Sequence, residues 1–287
     1  MPDSKIIYVR RLSTGLLNPV NTKMIIIGEL INSTRKAIKK AIDEQDVKYI
    51  QDLAVRQEEA GADYIDVNAG AYVHDEAKHL IWLVEKVQEV VSKPLALDSP
   101  DPKALEAALK VHKGVPMINS ISAEKERYEQ VMPLVKESGS QVVALCMSDD
   151  GMPETAEDRL EVAKVLLADL DKDGIDLTKV FLDPLIKPVS VDGIYGPQAL
   201  DAIERIAALE SGAHITSGLS NISFGLPHRA LLNQAFIVLA MGRGMDSAIV
   251  DPLDKKKMSL VKAAEVILNK DPYAMNYLKA ARADKLI

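Results

Sequence analysis

The sequence predicts a closed (β/α)8 TIM barrel, and three observations lead there. Short β-rich apolar runs recur eight times along the 287 residues. Segments of helical period separate them. Nearly every run ends in Asp, Asn or Glu, at the end of the strand where such a barrel carries its chemistry.

Met24 opens the first strand, MIIIG, with its apolar run at 25–27. A first helical segment starts near Thr34 and breaks around Asp46, and 48–59 then sets Ile50, Leu53, Ala54 and Gln57 at helical spacing. The second strand is 64–67, and 76–91 places Leu80, Leu83, Val84 and Val87 on one helix face. The rhythm continues with strands at 95–97, 115–118, 141–145, 180–182, 215–218 and 247–250. Helices fit 101–112, 124–138, 155–172, 197–211, 230–243 and 260–269. Several runs are wholly apolar, as parallel strands covered on both faces should be. A doubly wound open sheet is the competing architecture. It often carries a glycine-rich first turn, whereas here that turn reads Gly28-Glu29-Leu30-Ile31-Asn32, with no GxGxxG and no P-loop. One barrel domain over 24–287 is expected. Residues 1–23 lack periodicity and read as a leader, flexible or artificial, or as a short element closing the barrel bottom.

Composition narrows the function. Hydrophobic residues make up 47% of the chain, enough for a large core. Aromatics at 4% argue against stacking platforms for single-stranded nucleic acid, and a net charge of −7 argues against backbone binding to duplexes. No apolar run approaches a membrane span. The single cysteine, Cys146, excludes an internal disulfide and fits a cytoplasmic location. The histidines His74, His79, His112, His214 and His228 form neither HxH nor HExxH, so no metal site is expected.

The strand ends supply Glu29 and Asn32, Asp66 and Asn68, Asp98 and Ser99, Asn119 and Ser120, Met147 and Ser148, Asp183, Ser220 and Asn221, and Asp251. One such residue alone reads as a helix cap. Asp66, Asp98, Asn119 and Asp183 instead directly follow their strands, so a ring of them would point into one mouth. Carboxylates and amides without cations suit a neutral heterocycle. A carboxylate accepts two parallel N–H bonds from an amino-pyrimidinone edge, and an Asn donates and accepts at once. The seventh strand end, SGLSNISFGLPHR (217–229), breaks over Gly225 and Pro227 before an apolar helix resumes, which leaves Asn221 ahead of that helix rather than capping it.

Together with IIIGELIN (25–32), GADYIDVNAG (61–70), LALDS (95–99), MINSISAE (117–124), MSDDGMP (147–153), FLDPLIKP (181–188) and GMDSAIVDP (244–252), this stretch resembles the pterin-binding methyltransferases. The likeness is to methyltetrahydrofolate:corrinoid-protein methyltransferases and the folate domain of cobalamin-dependent methionine synthase, and it spans Met24 to about Asn269. It implies a pterin-binding barrel of one-carbon metabolism, with tetrahydrofolate or 5-methyltetrahydrofolate as substrate and a corrinoid supplied by a partner protein. It also implies a homodimer. By this similarity Asp98, Asn119 and Asp183 hold the pterin, with Glu29 and Asn68 beside them. Asn221 meets the reactive N5 and is the catalytic candidate. Ser223 and Arg229 approach the substrate tail, where Phe224 replaces an expected polar residue. Dihydropteroate synthases share the fold, but their TPDSF-, GGESTRP- and SRK-type loops are replaced here by ELINST, NAGAYVHD and LSNISFG. A folate-binding subunit without transfer is the non-enzymatic alternative.

Overall fold

The computed structural model describes residues 23–287; the leader expected at 1–23 lies, but for Lys23, outside them. Eight strands, β1 (Ile25–Asn32), β2 (Tyr64–Asn68), β3 (Leu95–Asp98), β4 (Met117–Ala123), β5 (Gln141–Ser148), β6 (Val180–Asp183), β7 (His214–Ile215) and β8 (Ser247–Val250), pair in parallel. Their order is β7-β6-β5-β4-β3-β2-β1-β8. Ten helices follow the chain among the described residues: α1 (Lys36–Asp43), α2 (Val47–Glu59), α3 (Glu76–Gln88), α4 (Pro102–Leu109), α5 (Lys125–Ser138), α6 (Ala156–Lys172), α7 (Tyr195–Ala207), α8 (Arg229–Gly242), α9 (Lys255–Ile267) and α10 (Met275–Arg282). This is the expected TIM barrel. None of these helices is long and apolar enough to cross a membrane.

The sheet meets its own edge through a few bonds. Asp246 N donates to Ile215 O, and Ile249 N donates to Ser217 O at 2.9 Å. The seventh strand is shorter than expected because Leu219–Ser223 winds into a 3-10 helix straight after this closure. The fourth strand starts at Met117, since Pro116 has no N–H to give to a ladder. The first strand runs on to Asn32 through a register shift between Gly28 and Ile31. There Leu30 N leaves the ladder and donates to Gln57 Oε1. The ninth helix begins at Lys255, capped by the Asp254 carboxylate on Lys257 N, and α10 was not foreseen at all.

Two apolar layers fill the molecule. The larger lies between strands and helices and includes Ile26, Ile65, Leu97, Ile118 and Leu182. The smaller plugs the barrel interior with Ile27, Ala96, Met117, Val143 and Phe181. Lower down, Phe181 stacks on His214 with ring centroids 4.6 Å apart.

A glycine is required where α8 turns into β8. Gly244 has φ +109°, and a Cβ there would stand 2.6 Å from Ala207 Cβ. Gly244→Ala combines left-handed strain with a backbone-fixed clash and should cost roughly 2–4 kcal/mol. Denaturant unfolding checks this; unchanged stability would contradict the packing described for this corner.

Candidate functional site

Side chains alternate across a strand with period 2. Two residues above the plug residues Ile27, Ala96, Met117 and Phe181 therefore stand Glu29, Asp98, Asn119 and Asp183, on the same inner face. On β2 the step runs Tyr64, Asp66, Asn68, and on β8 it takes Ile249 to Asp251. Parallel register levels the row further, with Asn68 opposite Asp98 and Asp98 opposite Asn119. The polar ring expected from the sequence is thus a layer of the barrel, resting on an apolar floor.

Hydrogen bonds separate members of the ring that serve the fold from those left for a ligand. Asn32 takes the Thr34 amide and hydroxyl and is a turn residue. Asn68 Oδ1 accepts from Ser33 Oγ and Gly70 N, while one N–H of Nδ2 donates to Asp98 Oδ2 at 3.0 Å and orients it, which leaves the second N–H for a ligand. Asn119 Nδ2 donates to Asp66 Oδ2 at 3.1 Å, which turns its carbonyl oxygen outward as an acceptor. Asp183 Oδ1 accepts from Leu185 N at 2.8 Å and Oδ2 from Gly218 N at 3.4 Å. Each oxygen keeps acceptor capacity. Glu29 Oε1 accepts from Ser220 Oγ at 3.1 Å and lies 3.4 Å from Arg35 Nη2.

Burial dominates the electrostatics. It pushes Asp183 up to about 6, against the pull of the Leu185 and Gly218 amides and the Arg159 charge. It pushes Asp98 to about 6 as well, opposed by the Asn68 bond and Arg127. Asp66 is raised by burial and then by the Asp98 charge, with the Asn119 bond opposing. Glu29 is raised by burial, against Arg35, Lys257 and the Ser220 hydroxyl. Four carboxylates short of solvation line one mouth, and each gains from a donor that a ligand brings.

The seventh strand end carries the remaining candidates. Asn221 is exposed within the 3-10 helix, not at the tip of a strand; its backbone N–H donates to Gly218 O, and its side-chain amide makes no hydrogen bond among the described residues. Ser223 differs from expectation. It is fully buried, donates to Ser220 O at 3.2 Å and accepts from Arg229 Nε at 3.1 Å. Its hydroxyl therefore shapes the loop and holds Arg229. The Arg229 guanidinium also reaches Ser220 O at 2.6 Å and lies over the Phe224 ring, which is 64% exposed. Ser190 Oγ donates to Phe224 O, and Val189 N donates to Ile222 O, so this loop is tied to its neighbour after β6.

A cavity of about 480 Å³ opens from Asp66 and Asp98 past Glu29 and Arg35 to Arg229, Asn233 and Lys257. Sequence reasoning missed Asn233 and Lys257. Asn233 is 7% exposed and its Oδ1 has no partner among the described residues; Lys257 is 3% exposed, with the Asp254 carboxylate 3.8 Å away. A polar residue inside the apolar helix run ALLNQAF was the available signal for Asn233. Lys257 sits in the run KKK, which reads as a solvated face. Lys187, also buried and paired with Glu154 at 3.1 Å, was hidden in FLDPLIKP in the same way.

The raised carboxylates carry a sign for stability. Folding raises Asp98 above its unfolded value, so protonation favours the native state. Its contribution is fully present below about pH 4 and lost as pH rises through about 6. Asp98→Asn keeps an oxygen for Asn68 and removes the buried charge. It should stabilise the protein by on the order of 1–3 kcal/mol at pH 7.5 and by little at pH 4. Thermal melts at the two pH values test this; equal shifts at both, or destabilisation at pH 7.5, would contradict a buried ionised Asp98.

Comparison with known proteins agrees with this geometry. Residues 28–251 match the profile of the family described as pterin binding enzyme. The chain is 38% identical over 265 residues to a methylcorrinoid:tetrahydrofolate methyltransferase of Eubacterium limosum, covering 92% of this chain and 98% of the relative. It is 29% identical over 268 residues to the methionine synthase of Mycobacterium tuberculosis, of which it spans only 22%. Among solved structures, the 7,8-dihydropteroate synthase of Vibrio fischeri aligns at a TM-score of 0.68 and 20% identity, covering 91% of this chain and 98% of that one. At that identity the likeness is one of fold. The plugged barrel, its layer of buried carboxylates and amides, and the sequence match from Gly28 to Asp251 converge: the chain belongs to the pterin binding enzyme family.

Proposed function

We propose that the chain, as a single domain over 24–287, is an enzyme that moves a methyl group between N5 of tetrahydrofolate and the cobalt of a corrinoid carried on a partner protein. The observation that carries the reading is the level row of Asp98 and Asn119, with Asp183 across the mouth, beside an Asn221 amide left unengaged. A relative so named, matched over almost its whole length, supports it.

In this reading the Asp183 carboxylate takes the amino and ring N–H of the pyrimidinone edge. Asn119 offers its carbonyl oxygen to the ring, and Asp98, steadied by Asn68, accepts from the reduced ring. The pterin thereby supplies the donors that the buried carboxylates lack. The cavity beyond Glu29 takes the substrate tail, with Arg35 and Arg229 at its entrance and Asn233 and Lys257 on its wall. A methyl on N5 departs poorly because negative charge builds on an amine nitrogen. The Asn221 amide donates a hydrogen bond to N5 as that charge develops, a placed dipole that stabilises the transition state, and N5 takes the proton that completes tetrahydrofolate from solvent. In the reverse direction the same amide orients free N5 for attack. The remaining contribution is position.

The corrinoid supplies a strongly nucleophilic reduced cobalt or a methylated one. Among the described residues no group of three or more His, Cys, Asp or Glu side chains is arranged to hold a metal ion. The name of the relative, methylcorrinoid:tetrahydrofolate methyltransferase, supports leaving the corrinoid to a partner. Exposed Val73, Met152, Val191, Ile194 and Phe224 stand on the loops around the mouth, an apolar rim suited to a docking protein. A cytoplasmic location fits the one free, buried thiol, Cys146. A homodimer fits exposed Ile267, Tyr273, Met275 and Leu278 around α9 and α10. Light scattering should give twice the 31.3 kDa chain mass, and a single-chain species at working concentration would contradict this assembly.

The test is single-turnover transfer, followed by the absorbance of a methylated corrinoid protein on addition of enzyme and tetrahydrofolate. The parent should demethylate the corrinoid. Asn221→Ala should slow the step about 10²-fold or more while leaving the thermal melt unchanged, in line with losing one placed donor. No absorbance change with the parent would refute the activity, and a variant at the parent's rate would remove Asn221 from the chemistry.

A further inference from the structure

Two arginines do for the loops what no carboxylate partner explains. Arg159, the fourth residue of α6, is 1% exposed. Its Nε donates to Pro184 O at 2.7 Å and Nη2 to Leu185 O at 3.3 Å; Nη1 donates to Glu154 O at 3.2 Å and Thr155 O at 2.8 Å. Pro184 and Leu185 are the two residues that follow Asp183. Arg127, the third residue of α5, repeats the arrangement. Its Nη2 donates to Ser99 O at 2.9 Å and to Ser120 O at 2.6 Å, Nη1 to Pro100 O at 2.6 Å, and Nε to Ser120 O at 2.9 Å. Ser99 and Pro100 follow Asp98, and Ser120 follows Asn119. Neither arginine forms a salt bridge among the described residues.

Arg127 is half-buried, but burying the Arg159 guanidinium against carbonyl oxygens alone is costly, because no carboxylate pairs with its charge among the described residues. A neutral donor would tie the same loops at lower cost. What the arginines add is a planar fork that grips adjacent carbonyls in fixed relation, and a positive charge behind the mouth. We propose that Arg127 and Arg159 are positioning residues for substrate, each fixing the strand-end loop directly behind one ligand carboxylate: Arg127 behind Asp98 and Asn119, Arg159 behind Asp183. The proposal rests on the reading that these carboxylates take the pterin.

The geometry behind Asp183 shows what is held. Leu185 sits at φ +62°, a conformation that a branched side chain rarely adopts, and that conformation directs its N–H onto Asp183 Oδ1. Arg159 grips the carbonyl of this same peptide, Pro184 O, and the next one, Leu185 O. Each arginine also favours the charged form of the carboxylate it stands behind. Other groups act on the same carboxylates. Asp98 is faced by Asn68 and Asp66 from β2 and by Glu76 from α3. Asp183 is faced by the Leu185 and Gly218 amides and by Cys146 of β5. None of these but the arginines brings a positive charge.

The experiment is calorimetric titration of tetrahydrofolate across pH 5–8, with a thermal melt beside each curve. Parent, Arg159→Lys, Arg127→Lys, Asp98→Asn and the Arg127→Lys/Asp98→Asn double variant are compared. Lysine loses the fork, and an ammonium that no longer grips the loop carbonyls can swing away from the carboxylate it stood behind. Each Arg→Lys variant should remain folded, bind about tenfold or more weakly, and lose affinity with acid at a higher pH than the parent. In the Asp98→Asn background, Arg127→Lys should cost much less than it does alone. Parent-like affinity and midpoint in both variants, the same loss from Arg127→Lys with and without Asp98, or collapse of both variants' melts would each show a merely structural role and overturn the proposal. A parent that binds no tetrahydrofolate overturns the functional reading first, and the proposal with it.

Discussion

Inner side chains of a parallel barrel come in layers two residues apart, and this site depends on what fills the layer beneath it. Ile27, Ala96, Met117, Val143 and Phe181 form a dry floor. Glu29, Asp98, Asn119 and Asp183 stand one step above it. The floor removes water from one side of the carboxylates, and the barrel wall removes it from the others. Their raised pKa values are the result, and the donor-rich edge of a pterin is the kind of group that restores what was lost. A polar layer over a polar or flooded interior would hold unperturbed carboxylates and would have little to gain from such a ligand.

The same arrangement explains why so much of the local structure is supporting work. Asn68 gives one N–H to Asp98, and Asn119 gives one to Asp66. Ser223 is consumed in holding Arg229, and the Leu185 and Gly218 amides hold Asp183. A carboxylate kept short of solvent is useful only if it cannot swing away to find water. Asn221 stands apart because its side-chain amide has no such duty among the described residues, and the proposed role toward substrate builds on this freedom.

Much of this was legible in the sequence, for identifiable reasons. Eight short apolar runs and the helical segments between them carry the barrel, since burial on both faces leaves a strong signal in composition. The strand ends were legible because Asp98, Asn119 and Asp183 directly follow those runs. Boundaries were less so: β7 ends at Ile215 because a 3-10 helix competes there, and β4 starts after Pro116. The division of labour within the ring was not legible. That Asn68 is engaged by the fold depends on Ser33 and Asp98, some thirty residues away on either side, and that Ser223 is engaged depends on how the loop to Arg229 winds. Arg127 and Arg159 lie in the first turns of ordinary amphipathic helices, where an arginine reads as solvated. Only the folded chain shows them meeting backbone carbonyls.

The central claim is that the layer above the floor grips the pterin edge while Asn221 attends N5. A crystal structure of the protein with 5-methyltetrahydrofolate tests it most directly. The account predicts the amino and ring N–H of the pyrimidinone edge on the Asp183 carboxylate and N5 about 3 Å from the Asn221 amide, within hydrogen-bond reach. A pterin bound elsewhere, or one bound in the mouth with N5 turned away from Asn221, would contradict it.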